Sequence, residues 1–116
     1  MTALTKVLGS VTLALAACTS THPMPANYVP AQAAIGAADA VGAGNEPRAA
    51  LHLKMARDAV ARAQVLARQG DDHEAALTLE RARTDAELAL MVTREANARR
   101  EANDAKREVE RLRRSN

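Results

Sequence analysis

Aromatic residues are almost absent from this chain, which has one tyrosine, Tyr28, and neither tryptophan nor phenylalanine among 116 residues. A thick core built on aromatic side chains is therefore excluded. The hydrophobic fraction is nonetheless 47%, and alanine is its largest part. Alanine has the highest helix propensity and little bulk. The composition predicts an all-α protein whose helices approach one another closely.

Long apolar runs and disulfide partners are also missing. The longest apolar run covers residues 7–17, with one basic residue, Lys6, before it and small residues at its end. Spanning a bilayer takes about 20 apolar residues, so this run is too short to be a membrane helix. It has the parts of a secretory signal instead. Cys18 follows directly and is the only cysteine, so no disulfide can form within the chain.

Groupings of residues that carry catalysis are not found. The histidines are scattered, the serines lie in the signal, the tether and the tail, and no glycine-rich phosphate loop follows a strand. His73 stands beside Asp71, Asp72 and Glu74 and could attract a cation, but a solvated turn is the favoured interpretation. Charge is nearly balanced, with 16 basic and 14 acidic residues. We expect no enzyme activity, no metal site and no nucleic-acid partner.

The residues Leu15-Ala16-Ala17-Cys18 resemble a bacterial lipobox. The resemblance implies diacylglycerol on the Cys18 sulfur, cleavage before Cys18 and acylation of its new amine. Several acyl chains give stable anchoring where one would be marginal. Thr19 stands where inner-membrane lipoproteins often carry aspartate, so we expect the outer membrane, facing the periplasm. The alternative is an ordinary signal peptide with an incidental cysteine.

The chain divides into four zones by composition. Residues 1–17 are the lipoprotein signal peptide, and residues 18–29, rich in proline and polar residues, are a flexible tether. Residues 30–94 are the helical hairpin domain. Residues 95–116 are a charged helical arm.

Proline, glycine and capping residues predict the ends of the helices in the hairpin domain. Pro30 lies in the first turn of a short alanine-rich helix that ends at Gly42 and Gly44. Asn45 or Glu46 caps the second helix, which has Pro47 in its first turn. Its apolar positions recur in steps of four and three and form one stripe: Ala49, Leu53, Ala56, Val60, Ala63 and Ala67.

A short turn separates the second helix from the third. Gly70 ends the second helix and Asp71 caps the third, with Glu74 completing a capping box. The third helix has its own stripe, formed by Ala75, Leu79, Ala82, Ala86 and Ala89 with Leu90 beside it. So short a turn brings the two stripes together, which predicts an antiparallel helical hairpin.

Two family resemblances follow from these residues. The turn from Gln69 to Leu77, Gln-Gly-Asp-Asp-His-Glu-Ala-Ala-Leu, is similar to the inter-helix turn of a tetratricopeptide repeat, but a repeat scaffold needs about three units and we find one. The wider chain resembles the domain-of-unknown-function 4398 family of lipoproteins. That resemblance is carried by Leu53-Lys54-Met55-Ala56-Arg57-Asp58, Ala61-Arg62-Ala63-Gln64, Gly70-Asp71 and Thr84-Asp85-Ala86-Glu87-Leu88-Ala89. It implies a lipobox and an alanine-rich hairpin.

The last zone is predicted to extend the third helix beyond the hairpin. Two i,i+4 pairs, Glu95 with Arg99 and Glu110 with Arg114, support helix formation. A heptad stripe offset from that of the hairpin runs through Ala98, Ala102, Ala105, Val109 and Leu112. The zone is either a solvated helix end or an arm that binds a partner, and alanines at most core positions would make self-association weak.

Two functions remain open from the sequence. One is a lipid-anchored cell-envelope lipoprotein with a structural or protein-interaction role and no catalysis, whose arm at 95–116 binds an envelope protein or a second copy. The alternative is a periplasmic binding module that uses a single tetratricopeptide-like hairpin to dock a specific protein partner. We expect no cofactor other than the covalent diacylglycerol and N-acyl chain on Cys18.

Overall fold

The computed structural model describes residues 23–115, and every regular element in that range is helical. Helix α1 spans Tyr28–Ala40, a short 3-10 helix spans Ala43–Asn45, α2 spans Pro47–Gln69 and α3 spans Asp72–Ser115. The predicted all-α class is confirmed, as are the short N-terminal helix, the hairpin and the long C-terminal helix.

Helices α2 and α3 form an antiparallel hairpin. His52 Nδ1 on α2 lies 3.3 Å from Asp85 Oδ1 on α3. Near the open end, the Glu46 carboxylate before α2 lies 3.7 Å from the Arg100 guanidinium. Rising residue numbers on one helix thus meet falling numbers on the other, as the short turn predicts.

The buried faces of the hairpin are the two stripes read from the sequence. On α2 all six predicted positions are buried, and on α3 all five are buried. Thr93 extends the α3 stripe and was missed because it is polar. Its hydroxyl donates to the Ala89 carbonyl at 2.8 Å, so the buried hydroxyl has a hydrogen-bond partner.

Alanine dominates the core, as the composition predicts. Of the fifteen buried apolar residues between residues 23 and 115, eleven are alanines. The largest fully buried apolar side chains are Leu53 on α2 and Leu79 on α3. Because both stripes advance by alternating steps of four and three, their side chains can interlock along the whole hairpin.

The turn between α2 and α3 is a Schellman motif. Gly70 adopts a left-handed φ of 84°, its amide donates to the Ala67 carbonyl at 3.1 Å, and the Asp71 amide donates to the Leu66 carbonyl at 3.0 Å. The predicted stop at Gly70 is therefore confirmed. Since the Asp71 amide is already bonded to Leu66, it is not available to the exposed Glu74 side chain, and the expected capping box is replaced by this motif.

The boundary expected at residue 30 falls inside α1, which begins at Tyr28. Pro30 lies in the first turn, where the helix needs no amide from it. The Asn27 side chain donates to the Ala76 carbonyl on α3 at 2.6 Å. The end of the expected tether at 18–29 is thus part of the folded domain, held by a residue 49 positions away.

Helix α1 packs along both helices of the hairpin, antiparallel to α2. Tyr28 at its start contacts Gln64, and Asp39 near its end accepts two hydrogen bonds from Arg57, each 2.7 Å. Its buried residues follow the same steps of four and three: Ala31, Ile35 and Ala38. The chain then turns at Gly42, which has a φ of 82°, and enters α2 through extended Glu46, one of the two expected caps.

The C-terminal part of α3 continues past its packing partners. Every residue from 98 to 115 is exposed, and the helix is continuous to Ser115. At about 1.5 Å per residue these eighteen residues form an arm about 27 Å long. We use "arm" for residues 98–115, since the packed part of the helix extends three residues beyond the boundary expected at 95.

Candidate interaction surface

The lipobox residues and the cysteine expected to carry lipid lie outside the described range. Leu15, Ala16, Ala17 and Cys18 all precede residue 23. Across residues 23–115, no helix combines the length and the apolar character that crossing a bilayer requires. The anchor therefore stays a prediction from the sequence.

The turn residues form a solvated structural corner. Asp71, His73 and Glu74 are all exposed, and Gly70 and Asp71 close the Schellman motif. Within residues 23–115, no three histidine, cysteine or acidic side chains come together as a metal site would need. The turn at Gly70 and Asp71 reverses the direction of the chain between α2 and α3.

An open groove follows the junction of α2 and α3, and α1 contributes nothing to its lining. It holds a volume of about 400 Å³, and most of the side chains that line it are charged or polar. The lining residues are Met55, Asp58, Ala59 and Arg62 on α2 and Glu74, Thr78, Arg81 and Asp85 on α3. The mixed charges of this groove give it no single electrostatic character. It is the surface on which a tetratricopeptide-like docking function would depend.

The arm is stabilised by ion pairs within its own helix. The two pairs expected from spacing, Glu95 with Arg99 and Glu110 with Arg114, both form, the second at 3.5 Å. Arg111 donates to both carboxylate oxygens of Glu108, and this hydrogen bonding raises the pKa of the Arg111 guanidinium further above its ordinary value. Such exposed pairs at spacings of three and four residues stabilise a helix only modestly, because solvent screens them.

Apolar side chains line the outer face of α3 along most of its length. At 100° per residue, the arm residues of this face lie about 150° around the helix from the buried stripe. We call this set the outer stripe: Leu77, Thr84, Leu88, Met91, Ala98, Ala102, Ala105, Val109 and Leu112. Its large members are substantially exposed, with Met91 at 61% and Leu112 at 52%. A helix that presents large apolar side chains in a regular row to solvent is typical of a protein-binding surface.

The sequence revealed only the last five members of the outer stripe. Counting back from Ala98 in the same steps of three and four reaches Glu95, Met91, Leu88, Thr84, Arg81 and Leu77. Glu95 and Arg81 interrupt the apolar pattern, and this hid the continuity of the face. The structure shows that the face is continuous, because Leu88 and Met91 are exposed on a helix whose opposite face is buried.

Comparison with known proteins identifies a family to which this chain is similar. The model of the family described as a domain of unknown function (DUF4398) matches residues 26–105, which include α1, α2 and most of α3. No curated protein and no solved structure matches the chain. The match begins just before Tyr28, where the folded domain begins, and ends within the arm. The chain therefore belongs to the family of the domain of unknown function DUF4398.

Proposed function

We propose that this protein is a cell-envelope lipoprotein, anchored by lipid on Cys18 to the outer membrane and facing the periplasm. Its role is to present a helical surface to another protein, without catalysis. The hairpin is the support in this proposal, and the arm is the part that binds.

The observation that carries the proposal is the exposed arm of α3. Residues 98–115 are all exposed, and Arg100 among them lies 3.7 Å from Glu46 at the start of α2. An isolated helix of this length is marginal in water, but here the hairpin supplies the preceding turns. A helix held out from the domain, with Val109 48% exposed and Leu112 beside it on the same face, is suited to binding a second helix.

The arrangement of the fold agrees with anchoring at Cys18. Asn27 is bonded to Ala76, so the chain enters the domain beside the start of α3. The nine steps along the chain from Cys18 to Asn27 reach at most about 30 Å when extended. From Ala76 to Ser115, helix α3 leads about 59 Å away from that entry point, at a rise of about 1.5 Å per residue. An anchor at Cys18 thus leaves the tip of the arm at the far end of the molecule.

The anchor is tested by fatty-acid labelling and membrane fractionation of the full chain. We expect labelled palmitate on the parent protein and its recovery with membranes. Cys18→Ser should abolish the label and leave an uncleaved precursor, whereas the neighbouring control Ser20→Ala should change neither. Persistent labelling of Cys18→Ser would overturn the lipid anchor.

The groove between α2 and α3 supports a second candidate, in which the hairpin itself docks a protein partner. The two candidates are separated by a photo-crosslinking residue placed at Ala105 on the arm or at Arg62 in the groove, in intact cells. The proposal predicts capture from Ala105 and little or none from Arg62. Capture from Arg62 alone would favour the hairpin-docking candidate.

A further inference from the structure

Part of the outer stripe lies on the arm, and we call this part the apolar row: Ala98, Ala102, Ala105, Val109 and Leu112. Of the charged residues that flank it, Arg99 and Glu108 pair within their own helix, but three others in the described part of the chain do not. Among residues 23–115, Glu101, Lys106 and Arg113 take part in no ion pair or side-chain hydrogen bond. Charges on the far face of the arm do pair within the helix, as Asp104 does with Arg107. The unpaired charges therefore lie beside the apolar row, where a second helix would contact them.

The spacing of the apolar row assigns each arm residue a coiled-coil position. Ala102 and Val109 occupy a positions, and Ala98, Ala105 and Leu112 occupy d positions. The residues before the a positions are then g positions, and those after the d positions are e positions. The g positions hold Arg94, Glu101 and Glu108, and the e positions hold Arg99, Lys106 and Arg113.

We propose that the arm pairs with the arm of a second copy of this chain, as a parallel two-stranded coiled coil in register. In such a pair each g residue faces the e residue five positions later on the other chain. Glu101 then faces Lys106 of the second copy, and Glu108, which also contacts Arg111 of its own helix, faces Arg113 of the second copy. The symmetry repeats both contacts, which gives four attractive pairs.

The charges select the parallel orientation over the antiparallel one. In an antiparallel pair, e positions face e positions, and these are all basic: Arg99, Lys106 and Arg113. Like charges at closely apposed positions repel and disfavour that orientation. The parallel pair also places both chain entries, each beside Ala76, at the same end of the dimer.

The residues at the a and d positions favour a two-stranded coiled coil. A β-branched residue at a with leucine at d is typical of parallel dimers, and Val109 and Leu112 fit this rule. An open depression of about 320 Å³ lies on the same face, lined by Ala105, Lys106, Val109, Glu110 and Arg113. The small Ala105 side chain leaves room there for a larger side chain of the second copy, in the manner of a knob entering a hole.

The pairing is confined to the arm. The same rule applied nearer the hairpin would bring Glu80 to Asp85 of the second copy and Arg94 to Arg99 of the second copy, both like-charge contacts. The coil therefore begins at Ala98. The inference rests on the proposed function in that it gives the arm a protein partner, and it identifies that partner as a second copy.

Disulfide crosslinking of the full chain tests the pairing directly. Ala98→Cys and Ala105→Cys place a thiol at two successive d positions, and Asn103→Cys places one at a control position away from the row. We expect mild oxidation to give dimers through both d positions and not through Asn103→Cys, with the parent chain showing the background from Cys18. In an antiparallel pair, a residue lies beside its own copy only where the twofold axis crosses the helices. Such a pair would therefore form a disulfide at no more than one of the two positions.

The proposal is overturned if neither d position crosslinks, if only one does, or if Asn103→Cys crosslinks equally well. Repeating the set with Cys18→Ser separates this result from the anchor. Dimers that persist while palmitate labelling is lost support the coil, and a labelled protein that gives no dimers keeps the anchor and rejects the coil.

Charge exchange supplies a second test that does not depend on a disulfide. Glu101→Lys converts two attractive contacts into repulsive ones, so the dimer dissociation constant measured by sedimentation should rise about tenfold. Adding Lys106→Glu restores both contacts with reversed charges and should recover the parent value. If the double variant dissociates as readily as Glu101→Lys, or if Glu101→Lys leaves the dissociation constant unchanged, the proposed pairing is wrong.

Discussion

At the scale of single residues, the fold depends on alanine where most helical domains use larger side chains. Eleven buried alanines let the helices approach closely, and the few larger residues fill what remains. The burial of Leu79 contrasts with the exposure of Leu77, two positions before it on the same helix, which is 53% exposed. The identity of a residue thus says less about its contribution than its place in the heptad.

Leu79→Ala should lower the free energy of unfolding by about 2–5 kcal/mol, because it removes one of the two largest apolar side chains from a closely packed core. Leu77→Ala makes the same chemical change at an exposed position and should change stability by no more than about 0.5 kcal/mol. Urea denaturation followed by circular dichroism measures both. Equal losses from the two variants would contradict the assignment of the buried stripe.

At the scale of elements, the helices of the hairpin were predictable because each signal is local. Steps of four and three identified the buried faces of α2 and α3, and Gly70 marked the turn. Residues whose role depends on distant contacts were not predictable in this way. Asn27 bonds to Ala76 across the fold, Thr93 is buried although polar, and the pattern Asp-x-x-Glu suggested a cap whose amide the Schellman motif uses.

The turn and α1 each contain a glycine with open space around it. Substituting each by alanine therefore measures the effect of backbone conformation on stability without a steric clash. Gly70 has a φ of 84°, and Gly70→Ala should destabilise the hairpin by about 1–2 kcal/mol because a side chain disfavours that region. Gly36 lies inside α1 with nothing within 4 Å of an added Cβ, so Gly36→Ala should stabilise by about 0.5–1 kcal/mol. Thermal unfolding of both variants measures the opposite signs, and shifts of the same sign would count against this backbone account.

Docking of α1 can be followed through Tyr28, the only aromatic residue of the chain. Its hydroxyl accepts hydrogen bonds from Gln32 and Gln64, each 3.0 Å. If α1 is part of one cooperative domain, the tyrosine fluorescence and the helical circular dichroism should change at the same urea concentration. A fluorescence change at clearly lower urea would mean that α1 leaves the hairpin before the hairpin unfolds.

At the scale of the whole molecule, a packed domain and an exposed arm share one continuous helix. The packed part of α3 ends opposite Glu46, where α2 begins. The arm beyond this point depends on the domain only for helix nucleation. This division predicts that removing the arm leaves the stability of the packed domain nearly unchanged. Under the proposed function, the arm serves binding and the hairpin is stable without it.

A chain ending after Asn97 should therefore fold with a free energy of unfolding within about 1 kcal/mol of the parent value. It loses one partly exposed ion pair, Glu46 with Arg100, and ion pairs near the surface contribute about 0–1 kcal/mol. Urea denaturation of the shortened and full chains makes the comparison. A loss of several kcal/mol would mean that the arm packs against the domain.

The central claim is that the arm binds protein through its apolar row, and a scan of single positions tests it most directly. A photo-crosslinking residue is placed in turn at each position from 101 to 107, and the protein captured in intact cells is quantified. The account predicts strong capture from Ala102 and Ala105 and weak capture from Asn103 and Arg107, following the heptad. Equal capture from all seven positions, or capture from none, would contradict it.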